Sequence, residues 1–133
     1  MQKHIRLLLL NDRLFKFLSV LATLIVIYFS LKLPNPNSKN WYFLIIRGDF
    51  LLHFICYFGL SSIYFYALLN DKNGRLYAHL LSIFVGILLE ILQIMPFFKR
   101  FFDFQDLISN IIGAIGGVIF NKIFLIQINN KLF

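Results

Sequence analysis

Charge is scarce in this 133-residue chain: Asp, Glu, Lys and Arg together make up 14% of it, where ordinary soluble domains carry roughly a quarter. Cysteine is nearly absent. The single Cys56 lies in an apolar run, reads as a small buried hydrophobe, and excludes an internal disulfide framework. Seven glycines and three prolines exclude collagen-like repeats and Gly/Pro-rich low complexity. What fills the chain instead is apolar: 59% of residues are hydrophobic, seventeen of them Phe, and the mean hydropathy is +0.77. Such a composition excludes disorder. A soluble globule of this length buries somewhat more than 60% of its chain surface, too little to hide this much apolar area, so the expected solvent is the bilayer.

Four stretches, at about 14–33, 50–69, 76–96 and 104–126, are long and apolar enough to span a membrane, each having the ~20 residues that cross about 30 Å of hydrocarbon as a helix. The connections carry breakers. Pro34-Asn35-Pro36-Asn37-Ser38 cannot continue a helix. Asn70-Asp71-Lys72-Asn73-Gly74 reads as a polar turn whose glycine supplies a positive φ, and Pro96 ends the third segment. The expected fold is all-α, a four-helix transmembrane bundle forming a single domain over 1–133. The basic leader Lys3, Arg6, Arg13, Lys16 resembles a signal peptide, but no small-x-small cleavage site follows the apolar run, so a retained first helix is expected.

The net charge of +7 follows from membrane topology rather than from nucleic-acid binding, which is not expected. With the N-terminus inside, that side holds eight basic residues: Lys3, Arg6, Arg13, Lys16, Lys72, Arg75, Lys122 and Lys131. The other side holds five, Lys32, Lys39, Arg47, Lys99 and Arg100. The bias places both termini in the cytoplasm. Trp41 and Tyr42 fit an outer aromatic belt, and Tyr77 an inner one. His79 lies near the inner end of the third segment with no acidic residue at its depth and is read as interfacial.

Alternating helix directions bring the remaining polar residues to one face of the membrane. Asp49, His53 and Tyr57 open the second segment at i, i+4 and i+8, a single helical face. Glu90 and Gln93 close the third. Asp103, Asp106, Asn110, Gly113 and Gly117 then form a stripe down the fourth, and its small-xxx-small pair Gly113 and Gly117 is suited to close helix packing. Ionisable groups inside a membrane are costly and mark a site by default.

The ordered set Asp49-x3-His53-x3-Tyr57, Glu90-x2-Gln93 and Arg100-x2-Asp103-x2-Asp106-x3-Asn110-x2-Gly113 resembles the VanZ-like family of small bacterial membrane proteins. The similarity covers roughly 49–120. The chain departs from the family pattern at Phe50, where the family commonly has Lys; Arg47 is the basic residue near enough to substitute. The resemblance implies a multi-pass protein of the bacterial cytoplasmic membrane. It further implies a role in sensitivity to glycopeptide antibiotics of the teicoplanin type, or in handling cell-envelope lipids or precursors. Its partners would be membrane lipid and a lipid-linked or glycopeptide ligand.

Three roles stand open for Asp49, His53, Tyr57, Glu90, Gln93, Arg100, Asp103, Asp106 and Asn110. They are an ion-paired network that pins the helices, a headgroup-binding site, and the centre of a membrane enzyme acting on a lipid or lipid-linked precursor. A helper subunit of a larger membrane complex is the further alternative at the level of function. His53, Glu90 and Asp106 are ligand types suited to a divalent metal, but their spacing matches no local metal motif such as His-Glu-x-x-His. No metal, no cofactor and no catalytic assignment is made from the sequence.

Overall fold

The structure, a computed structural model, describes residues 11–32, 42–98 and 102–130, with side chains to Gln127. Four helices account for nearly all of it: α1 Asp12–Leu31, α2 Gly48–Ala67, α3 Gly74–Gln93 and α4 Phe104–Asn130. All four are long and apolar enough to cross a membrane, and the chain is an all-α, four-helix membrane protein. The first three start and end about two residues earlier than hydropathy places them, because the ends are set by local capping. Asn11 caps α1 by accepting the Leu14 N–H at 3.2 Å. Helix α3 stops at Gln93, ahead of a short 3₁₀ turn at Pro96–Phe98. Leu33, the Pro34–Ser38 loop, Trp41 and Arg100 lie outside the described residues.

Between α1 and α2 sits a feature hydropathy does not reveal, a minimal hairpin of β1 Tyr42–Phe43 and β2 Ile46–Arg47. Leu44 turns it at φ 57°, an uncommon conformation for a branched apolar residue. In the α2–α3 turn the positive φ belongs to Asn73, at 84°, and not to Gly74 as expected. Asn tolerates the left-handed region. Gly74 is needed for a different reason: any Cβ there would collide with the Leu68 carbonyl.

The core is built around α2, where Tyr57, Leu60, Tyr64, Phe65 and Tyr66 are buried with Ala78 of α3 and Val118 of α4. Helix α1 has no fully buried residue. It lies against the bundle through Phe15, Ala22 and Val26 and through one polar link, Thr23 Oγ1 to Tyr64 Oη at 2.6 Å. Large apolar side chains such as Phe17, Leu24 and Phe29 of α1 and Phe84 of α3 face outward, which suits lipid and not water.

Helices α2 and α4 run parallel and share the closest seam, in which each step of four on α4 meets a step of four on α2. Ser109 Oγ donates to the Phe50 carbonyl at 2.5 Å. Gly113 lies against the Phe54 carbonyl, and Gly117 against that of Phe58. Asn121 Nδ2 donates to Ser62 Oγ at 2.7 Å. The stripe expected on the fourth segment does face the interior, with Asp106, Asn110, Gly113 and Gly117 all buried. In lipid no hydrophobic force drives helix against helix, so close backbone approach and interhelical hydrogen bonds hold such a seam.

Candidate functional site

At the end of the bundle where α2 and α4 begin and α3 finishes, the polar residues form two tiers. The outer tier is organised by Arg47, the last residue of β2. Its guanidinium bonds the Asp49 carboxylate and reaches Asp103 Oδ2 at 3.0 Å and Gln105 Oε1 at 2.7 Å. The hydrogen bonds that Arg47 donates to Asp49 and then to Asp103 outweigh its desolvation and raise it above its ordinary range, so the guanidinium stays charged. Asp103 also caps α4, accepting the Gln105 N–H at 2.8 Å through its side chain. This tier is partly solvated, with Asp49 and Asp103 side chains 47% and 32% exposed.

The inner tier is buried. His53 Nδ1 lies 2.9 Å from Asn110 Oδ1, and its Nε2 lies 3.5 Å from Asp106 Oδ2. Asn110 Nδ2 in turn donates to Glu90 Oε1 at 3.4 Å. Asn110 and Glu90 are each 1% exposed and Asp106 is 8% exposed. Tyr57 forms part of the floor. It and Asn110 approach α3 at Gly86, where an added Cβ would stand 3.1 Å from the Tyr57 ring and 3.2 Å from the Asn110 Cβ. Glycine at that position therefore admits both side chains to the centre of the bundle.

The sequence-expected residues accordingly separate. His53, Tyr57, Glu90, Asp106 and Asn110 come together in the buried tier, while Asp49 and Asp103 pair with Arg47 above it. Gln93 joins neither: it is buried and donates to the Ser30 carbonyl at 3.2 Å, tying α3 to α1. Among the described residues the direct contacts of the network thus fall into these two tiers. Arg47, Gln105 and Gly86 were not singled out as site residues. Gly86 carried a legible signal, the step of four that it continues from Ala78 and Ser82 along one face of α3.

A cavity of about 490 Å³ opens beside the inner tier, between α1 and α2. Asp49, His53 and Tyr57 are the polar residues along its α2 side, and Ile25, Val26 and Leu52 are among its apolar walls. Cys56 also lines it and is exposed rather than buried as expected. His79, at the opposite end of α3, is half-buried with Nδ1 lacking a hydrogen-bond partner among the described residues. It takes no part in the cluster. No protein-family model, no curated protein and no solved structure matches this chain.

Proposed function

We propose that this chain is a VanZ-like multi-pass protein of the bacterial cytoplasmic membrane, with both termini in the cytoplasm. On this reading it holds a lipid or lipid-linked envelope precursor at the outer face and through it modulates sensitivity to teicoplanin-type glycopeptides. The observation that carries the reading is the cavity between α1 and α2. Its volume is in the range of small-ligand pockets, about 300–1,000 Å³. Its walls are mostly apolar, with Asp49, His53 and Tyr57 the polar groups along its α2 side and Ser30 on its α1 side. An amphiphile needs that combination, apolar walls for a chain and groups that hydrogen-bond a head. Helix α1 has no fully buried residue, which leaves it free to move aside for entry from the surrounding lipid.

Native mass spectrometry of the protein released from lipid nanodiscs tests this. The wild-type chain is expected to retain one lipid or lipid-linked species. Cys56→Trp fills the cavity from its α2 wall and should remove that species while circular dichroism shows the fold to persist. Equal lipid retention by wild type and Cys56→Trp would refute the reading.

A second reading, a membrane enzyme, draws on His53, which Asn110 holds in one orientation facing Asp106. An imidazole fixed next to a carboxylate is the arrangement general acid–base chemistry uses. The enzyme reading expects Glu90→Gln to abolish turnover of a lipid-linked substrate at unchanged melting temperature. A purely structural cluster expects the same change to lower stability.

A further inference from the structure

Of the features that the lipid reading leaves unexplained, the most demanding is the pair of carboxylates in the inner tier. Glu90 of α3 and Asp106 of α4 are both buried, and His53 of α2 lies with them. One ligand atom from each of these three residues falls within 4.8 Å of the others. Buried carboxylates are tolerated where they are paired or coordinate a metal.

A second, independent observation comes from Asp106, which is 8% exposed and whose Oδ1 has no hydrogen-bond partner among the described residues; the hydrogen bonds around the trio fix how its ligands are presented. Asn110 Oδ1 can only accept, so at 2.9 Å it accepts the hydrogen bond that His53 Nδ1–H donates. In the neutral imidazole that leaves Nε2 bare, and Nε2 is the nitrogen 3.5 Å from Asp106 Oδ2. This separation is long for a hydrogen bond. It is close to the ~3.4 Å between neighbouring ligands on a tetrahedral ion with bonds of about 2.1 Å. The amide of Asn110 donates to Glu90 Oε1, so one residue orients two of the three ligands, as outer-shell partners of metal-bound histidines do.

We propose that His53, Glu90 and Asp106 bind one divalent transition-metal ion, with Asn110 as their positioning residue. Imidazole with two carboxylates suits zinc or manganese. The ion balances both carboxylate charges, and the widest ligand pair closes onto it by a side-chain rotation. Lines of descent along the chain conceal the site, because its ligands come from three different helices, 37 and 16 residues apart. The site belongs to the same polar end as the lipid reading but has its own readout.

Tag-free full-length protein in detergent is incubated with zinc or with manganese, dialysed, and assayed for metal by mass spectrometry. Its melting temperature is measured with the ion and with chelator. Wild type is expected to retain one equivalent and to melt higher with the ion. Asp106→Asn and His53→Ala should lose stoichiometric metal, and Asn110→Ala should bind about 10–100-fold more weakly. If the ligand variants do not fold, the wild-type melting shift and the Asn110→Ala affinity carry the test. Wild type that retains no metal and does not shift, or variants that bind as wild type does, would overturn the site. A chain that keeps its lipid but binds no metal would overturn only the metal site. One that binds metal but no lipid would overturn only the lipid reading.

Discussion

Two glycine-to-alanine changes in neighbouring helices should differ in their effect on stability, and the gap between them measures the α2–α4 seam. A Cβ added at Gly113 would stand 2.5 Å from the Phe54 carbonyl oxygen and 3.1 Å from the Phe58 nitrogen. Both are backbone atoms and cannot rotate away. Regaining an ordinary contact of about 3.5 Å requires the helices to part by about 1 Å, which would also stretch the Ser109 and Asn121 hydrogen bonds on either side. Overpacking of this kind costs about 1–3 kcal/mol. Against it stands the helix propensity that alanine adds, up to about 1 kcal/mol. At Gly59, also in α2, a Cβ meets nothing within 4 Å, so only the propensity gain remains. Gly59→Ala is expected to be neutral to stabilising. Gly113→Ala should fall below it by about 1–3 kcal/mol, since the propensity gain is common to both. Reversible unfolding in mixed micelles, followed by circular dichroism, reads both variants. Equal stability of the two would refute the seam as the closest helix contact.

Helix α1 should prove the loosest element. Thr23→Val and Tyr64→Phe each remove the 2.6 Å hydroxyl contact between α1 and α2, and a double-mutant cycle by micelle unfolding should give a coupling of about 0.6 kcal/mol; zero coupling would place the two hydroxyls apart. Topology has a separate check. A reporter active only in the cytoplasm, fused after Phe133, should be active, and an inactive fusion would reverse the orientation drawn from the basic residues.

How much of the site was legible in advance is clear from particular residues. Asp49, His53, Glu90, Asp106 and Asn110 could be assigned to one end of the bundle from hydropathy alone, because antiparallel connections fix the depth of each residue once the spans are known. Gln93 shared that depth, yet it bonds Ser30 of α1. Depth gives the height of a residue in the membrane but not the direction in which its helix face turns. Gly86 went unnoticed as the opening for Tyr57 and Asn110 because its partners lie on two other helices.

The sequence by itself determined the solvent, the number of helices and the end of the bundle at which polar groups gather. These follow from composition and from runs of about twenty residues, which are local and additive properties. Only the tertiary structure decided the pairings. It matched Ser109, Gly113, Gly117 and Asn121 to Phe50, Phe54, Phe58 and Ser62. It also drew Arg47 from a two-residue strand onto Asp49 and Asp103, and it set partly buried His53 with buried Glu90 and Asp106 beneath the solvated tier. The physical reason is that helix rotation and register are set by the fit of two surfaces, such as a carbonyl against a missing Cβ, and no stretch of a single helix encodes its partner.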